Sequence, residues 1–371
     1  MRVIVASDKF KGSVSATEVA AALTAGLRSV IRDLEVVHVP VADGGDGTVD
    51  VAVHAGFRRV TVTASGPTGE PVQTTFALRD DTAVVELADV VGLRRLPAHR
   101  RAALTASSYG LGEVLVAALD HGVSRIVLGL GGSASTDGGA GMIQALGVQL
   151  EDAHGAALQR GGSALLNLAG VDPSHVDPRL RGVHVDAACD VDNPLLGPRG
   201  AARVFAPQKG ADSDQVDLLE RALTEWADKT RATVGTDFSQ VPGAGAAGGV
   251  GFAALAYLGA RLVSGIDLVL DLVGFAEALV GADLVITGEG SLDAQTLSGK
   301  APWGVAQAAR RHGVPVVAVA GVVSLSPEQQ ATAGFSGTYS LHSLEPDAGR
   351  SFAMAAPLLT ELATQIAHEW L

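Results

Sequence analysis

The chain has 371 residues, a length that suggests two domains, and 46 of them are glycine, well above the roughly 7% that is usual. A formal net charge of −13 with no basic cluster argues against nucleic-acid or membrane-surface binding, so an anionic ligand has to be held by local donors. The one cysteine, Cys189, excludes a disulfide within the chain and suits a reducing cytoplasm, and Met1-Arg2 leads straight into strand-like sequence without a signal-peptide pattern.

Taken in order, residues 3–7 (VIVAS) read as a buried parallel strand, followed by a turn over Asp8 to Ser13. Ser15 and Glu18 form a capping box for a helix to about Val30, with Val19, Ala22, Leu23, Gly26, Leu27 and Val30 on one face. Val36 to Val41 is a second strand, ending in the Gly-rich turn Ala42-Asp43-Gly44-Gly45-Asp46-Gly47-Thr48 ahead of another helix. From Val60 the pattern turns to hairpins, with strands at 60–64, 72–78 and 82–87 separated by Gly66-Pro67-Thr68-Gly69 and Arg79-Asp80-Asp81. A helix is expected at about 110–121, then a strand from Ser124 to Leu128, the run Gly129 to Gly141 (GLGGSASTDGGAG) and a helix from Met142. A strand at 183–187 leads into the loops Cys189 to Gly197 and Phe205 to Ala211, followed by a helix at about 213–233. The uncharged stretch Phe238 to Ala260 is 23 residues long, enough for a bilayer, but its Pro242 and six glycines predict a buried loop leading into a core helix. The last hundred residues return to strand and helix: a strand at 283–287, a turn over Gly288 to Asp293, a helix at about 302–312, and strands at 314–320 and 337–341.

Five parallel strands divided between the chain ends predict an α/β protein of two domains. One is a discontinuous, flavodoxin-like doubly wound parallel sheet from residues 1–64 plus 268–371; the other is a mixed-sheet α/β domain inserted over 65–267. Ligands bind at the carboxyl ends of the strands in such sheets.

The run Gly129 to Gly141 holds six glycines, the hydroxyls of Ser133, Ser135 and Thr136, and the carboxylate of Asp137. Between a strand and a helix N-terminus, free N–H groups and the helix dipole favour an anion, and glycine lets it approach the backbone. Without a ligand the same run would be a tight turn. Gly243-Ala244-Gly245-Ala246-Ala247-Gly248 matches G-x-G-x-x-G, but no strand leads into it, so the dinucleotide fingerprint lacks its context. Gly299-Lys300 resembles the end of a P-loop, yet Ala294 and Ala301 stand where Gly and Ser or Thr are required. There is no H-E-x-x-H, no Cys/His cluster, no G-x-S-x-G and no protein-kinase motif set.

Carboxylates recur in Gly-rich turns after strands: Asp43 and Asp46, Asp137, Asp190 and Asp192, Glu289 and Asp293. Any one alone would serve as a turn residue or cap. Lys9, Lys11, Lys209 and Lys300, four of the five lysines, lie in the same class of loop. Phosphoryl transfer calls for this mixture: Mg²⁺ on one or two carboxylates and phosphate oxygens, a carboxylate base at the attacking hydroxyl, and cations on the transferring group.

The runs Asp8 to Ser13, Ala42 to Thr48, Gly129 to Gly139, Cys189 to Leu195, Phe205 to Ala211, Pro242 to Gly249 and Ile286 to Gly290 resemble those of bacterial two-domain glycerate kinases, in order and along essentially the whole chain. The resemblance implies ATP-dependent phosphorylation of D-glycerate at the 2-hydroxyl, with Mg²⁺, giving 2-phosphoglycerate and ADP. The alternatives are 3-phosphoglycerate as product, another small hydroxy acid as substrate, or a metabolite sensor without activity. It also implies a cytoplasmic monomer or homodimer whose partners are D-glycerate and ATP. The family often has Asp-Ser-Phe-Lys where this chain has Asp8-Lys9-Phe10-Lys11, which favours Lys11 over Lys9, and Asn where this chain has Thr136.

Within that resemblance Asp190, Lys11 and Lys209 are catalytic. Asp190 accepts the hydroxyl proton, and the two lysines neutralise the glycerate carboxylate or the γ-phosphate. Gly131, Gly132, Ser133, Ser135, Asp137, Asp43, Gly245, Gly248 and Lys300 are expected on phosphates or substrate oxygens, and Asp192, Glu289 and Asp293 on Mg²⁺. At this level the base and a metal carboxylate are interchangeable. Substrate is expected in a cleft between the domains, where closure would exclude water.

Overall fold

The computed structural model describes residues 1–10, 12–97, 99 and 101–371. Its strands are, in chain order, β1 (Arg2–Ser7), β2 (Glu35–His38), β3 (Arg58–Ser65), β4 (Pro71–Arg79), β5 (Thr82–Glu86), β6 (Arg125–Gly129), β7 (Gln149–Glu151), β8 (Gly170–Asp172), β9 (His184–Ala188), β10 (Arg261–Val263), β11 (Leu284–Leu292), β12 (Val316–Val323) and β13 (Gly337–Ser340). The principal helices are α1 (Ala16–Val30), α2 (Thr48–His54), α3 (Tyr109–Leu119), α4 (Ala140–Ala145), α5 (Ser213–Val234), α6 (Ala246–Leu258), α7 (Ala301–Arg311) and α8 (Ala355–Trp370). The chain is α/β, with one parallel and one mixed sheet, in two compact units: Met1–Asp43 with Ile266–Leu371, and Gly44–Gly265. Among the described residues no helix is long and apolar enough to cross a membrane.

In the first unit five parallel strands lie in the order β13-β12-β11-β1-β2. Along the chain this is the 2-1-3-4-5 order of a flavodoxin-like doubly wound sheet, with its reversal between β1 and β11. Helices cover both faces of such a sheet, so β1 and the start of β11 are continuous runs of buried Val, Ile and Leu. The capping box at Ser15 and Glu18 forms in both directions and starts α1. α1 packs on α8 at close range, because a Cβ on Gly26 would fall 2.1 Å from the Thr360 carbonyl oxygen. Leu23, Leu27, Leu359 and Ile366 fill the core on that side, all fully buried. One element differs from the sequence reading. β11 continues through the turn expected at 288–293, pairing with β12 as far as Leu292 opposite Val323. Gly288 permits this: a Cβ there would sit 2.3 Å from the Val319 carbonyl oxygen. Glu289 is therefore a strand residue.

In the second unit six strands run β10-β9-β6-β5-β4-β3. β10, β9, β6 and β5 are parallel, and β5, β4 and β3 form the antiparallel hairpins that the alternating sequence predicts. α2 packs on β4 and β5, so the chain passes from one unit to the other at Asp43, upstream of the boundary expected near residue 65. β10, and the ribbon of β7 and β8, are only three residues each and leave no periodic signal. Asp186 of β9 is a buried charge inside the sheet, chelated by Arg261 at 3.0 and 2.7 Å and by Arg125 at 3.2 and 3.1 Å.

Candidate functional site

In the first unit the carboxyl ends of β1 and β11 flank the point where the strand order reverses, the position at which open α/β sheets take ligands. A cavity of about 470 Å³ opens there. Its charged lining consists of Asp8 and Lys9 after β1, Asp43, Glu289 of β11, and Lys300, which precedes α7. Phe10, Val322, Leu341 and Phe352 supply apolar lining. Glu289 accepts a 2.7 Å hydrogen bond from the Thr296 hydroxyl and lies 3.4 Å from the Lys300 amine, which also reaches Asp293 at 3.9 Å. Burial raises the Glu289 pKa, while Thr296 and Lys300 pull it down. Lysines beside carboxylates can receive a phosphate and its counter-cation together. Among the described residues no three His, Cys, Asp or Glu form a metal cage. Mg²⁺ takes one or two carboxylates and completes its shell with water and phosphate oxygens, a demand that Glu289, alone or with one of Asp8 and Asp43, fits in kind.

In the second unit the Gly129 to Gly141 run is packed against protein along most of its length, with Gly131 half-buried and Gly132 exposed. A Cβ on Gly129 or Gly131 would meet the backbone of Gly44 or Gly45 at 2.7 and 2.8 Å, and one on Gly141 would meet Ser107 Oγ at 2.2 Å. Gly132 faces Ala88 at 3.2 Å, Gly138 faces Trp226 at 2.4 Å, and Gly139 faces Ala253 at 2.5 Å. Close packing accounts for the glycines at 129, 131, 138, 139 and 141, a demand that the sequence alone did not reveal. Asp137, expected on substrate, is fully buried. Its carboxylate accepts from Ser108 N (2.7 Å), Ser108 Oγ (2.9 Å) and Ser107 Oγ, Gly139 N and Gly141 N (each 3.3 Å), so it ties the loop to the start of α3.

Lys209, expected to touch substrate, is 2% exposed and turned inward. Its amine donates to Ser133 Oγ at 2.7 Å and to the Ser135 carbonyl at 2.5 Å. Gly248, with φ +70°, leaves room for it, since a Cβ there would lie 2.8 Å from Lys209 Nζ and 2.1 Å from the Ser135 carbonyl oxygen. Burial pushes the Lys209 amine down to about 7, with Asp137 opposing the shift. Lys209 thus fastens the 131–137 loop to its own 205–211 segment, while the Gly138 N–H donates to the Gly248 carbonyl at 3.0 Å. The hydroxyls of Ser135 and Thr136 are buried there without a hydrogen-bond partner. Gly245 is held by its own N–H to the Asn193 carbonyl at 2.9 Å.

The remaining expected residues divide between the units. Asp190, exposed just after β9, accepts the Gly265 N–H at 2.8 Å. Asp192 is exposed and paired with Arg199 at 2.6 Å within its own loop, whereas the other two expected metal ligands, Glu289 and Asp293, share Lys300 in the first unit. Lys11 lies outside the described residues. Two features escaped the sequence reading. Asp8, whose carboxylate takes the Lys9 N–H at 2.7 Å, lines the cavity. Glu86, at the end of β5, is buried and accepts from Gly47 N at 3.0 Å and Val49 N at 3.4 Å. Burial pushes its carboxyl up to about 7; the two N–H groups oppose this, and Asp46 and Asp89 add to it. Asp8 was legible only as a turn residue. Glu86 has no turn glycine beside it and reads as an ordinary strand end.

Residues 3–371 match the family model described as the glycerate kinase family. The chain is 48% identical over 327 residues to the glycerate kinase of Bacillus subtilis (strain 168), covering 87% of this chain and 86% of that one. It is 44% identical over 326 residues to the glycerate 2-kinase of Escherichia coli (strain K12), covering 86% and 85%. A crystal structure from Salmonella typhimurium LT2, assigned as glycerate kinase 2, superposes with a TM-score of 0.87 at 40% identity, covering 99% of this chain and 97% of that one. Sequence motifs, sheet order and whole-length similarity agree, and the chain is an enzyme that belongs to the glycerate kinase family.

Proposed function

We propose that the enzyme transfers the γ-phosphoryl group of ATP to the 2-hydroxyl of D-glycerate, releasing 2-phosphoglycerate and ADP. The observation that carries this reading is the cavity where the strand order reverses, which gathers Lys9 and Lys300 with Asp8, Asp43 and Glu289. The glycerate 2-kinase of Escherichia coli, 44% identical, supports the choice of hydroxyl. In the transfer, a bond forms between the glycerate 2-oxygen and the γ-phosphorus while the bond from that phosphorus to the β,γ-bridging oxygen breaks. The hydroxyl proton passes to a carboxylate base, assigned to Asp190, and ADP carries away the charge of the leaving oxygen.

Lys9, Lys300 and, by resemblance, Lys11 neutralise the transferring phosphoryl group. Such fixed charges act most strongly when directed at the charge that develops during transfer. Glu289, alone or with one of Asp8 and Asp43, would hold Mg²⁺, which when bound screens the phosphate charge. Asp293 acts through Lys300. Lys209 and Asp137 are assigned as positioning residues that keep the 131–137 loop in place, and Asp192 is assigned to its loop ion pair. Phosphorus NMR of the product formed from D-glycerate and ATP tests the reading. A 2-phosphoglycerate signal is expected; 3-phosphoglycerate would overturn the regiochemistry, and no product would overturn the kinase assignment.

A further inference from the structure

We infer that the apolar lining of the first-unit cavity seats the purine base of the nucleotide, with Phe352 as its stacking surface. This rests on the kinase reading for the identity of the ligand, but the argument for its position is physical. Phe352 and Val322 are 53% and 45% exposed, which leaves apolar surface open to a ligand. Both line the same cavity, together with buried Phe10 and Leu341. Phe352 is fixed where it stands. Its short helix Ala348–Ala353 is capped by the Asp347 side chain, its carbonyl accepts the Ser13 hydroxyl at 2.7 Å, and a Cβ on Gly12 would lie 3.1 Å from the Phe352 ring. A pre-set, half-exposed aromatic ring presents a face on which a flat base can stack, and stacking serves any base because each has a π-face.

The same cavity is lined by Lys9 and Lys300. A ligand suited to that lining has both a flat apolar part and an anionic part, the chemistry of a purine nucleoside triphosphate and not that of glycerate, which has no apolar part. The volume of about 470 Å³ lies within the range of sites for ligands of that size. Apolar lining with a few placed charges is the usual make-up of such sites.

The test uses the full-length enzyme with Phe352→Ala and Phe352→Trp, read by calorimetric titration with ADP and by steady-state kinetics with ATP and D-glycerate. Loss of one stacked ring is expected to weaken ADP binding and raise KM for ATP by roughly 5- to 100-fold, leaving KM for glycerate within about twofold. Phe352→Trp restores the stack and is expected to bind ADP as the parent does, which separates stacking from general disruption. If Phe352→Ala phosphorylates glycerate with an unchanged KM for ATP, the base lies elsewhere and the inference fails while the kinase reading stands. If ADP binding weakens in Phe352→Ala and returns in Phe352→Trp but no hydroxy acid is phosphorylated, the seat stands and the kinase reading fails. If ADP does not bind the parent enzyme, the inference fails.

Discussion

Replacing Gly138 with alanine asks whether the Gly129 to Gly141 run is glycine-rich for packing, as its neighbours indicate. Gly138 has φ +63°, a left-handed conformation that costs a residue with a Cβ roughly 1–2 kcal/mol. The added methyl would also stand 2.4 Å from Trp226 Cδ1, 2.8 Å from Trp226 Nε1 and 3.0 Å from Leu223. The indole cannot easily swing aside. It is fully buried, stacked on Tyr257 with centroids 5.7 Å apart, set edge-on to Phe252 at 6.1 Å, and donating to the Gly138 carbonyl at 2.9 Å. Overpacking a filled core costs roughly 1–3 kcal/mol, so Gly138→Ala is expected to destabilise the second unit by about 2–5 kcal/mol in all. Gly155→Ala is the matched control: its φ is +74°, but nothing lies within 4 Å of the added Cβ, so only the backbone cost of roughly 1–2 kcal/mol applies. Urea unfolding of both variants without ligand, followed by tryptophan fluorescence and far-UV circular dichroism, makes the comparison. Equal losses in the two variants would refute the packing argument.

Two buried groups give pH dependences of opposite sign. The Glu86 carboxyl is raised to about 7, so the folded state keeps a proton that the unfolded chain releases above its ordinary range; this contribution is present at low pH and fades as pH rises towards 7. At 1.36 kcal/mol per pKa unit the fall is about 3 kcal/mol, and Glu86→Gln is expected to flatten the urea-midpoint profile between pH 4.5 and 7. The Lys209 amine is lowered to about 7, so the folded state sheds a proton that the unfolded chain retains, and stability is gained between pH 7 and 10.5; Lys209→Met is expected to remove that rise. Unchanged slopes in these variants would contradict the burial of the two groups. Asp186→Ala removes the partner of two arginines from inside the sheet and is expected to cost roughly 2–3 kcal/mol, while Asp192→Ala breaks an exposed, solvent-screened pair and is expected to cost far less. A thermal shift in Asp192→Ala as large as that in Asp186→Ala would overturn this contrast.

By itself, the sequence determined the local structure and the kinship. Short apolar runs made the parallel strands, and alternation made the hairpins of β3, β4 and β5. Ser15 with Glu18 marked a helix start that forms as a full capping box. These signals are legible because they depend on neighbours a few residues apart. The ordered motifs identified the family because they lie in the chain itself. What each motif packs against was decided by tertiary structure, because burial and contact join residues far apart. Lys209 meets Ser133 across 76 positions, and Glu86 meets Gly47 across 39. The low dielectric that shifts both groups towards neutrality exists only once those segments close around them. The same distinction explains the glycine run: the sequence records six residues without side chains, and only the packed unit shows that Gly44, Gly45, Ala88, Ser107, Trp226 and Ala253 occupy the space they leave.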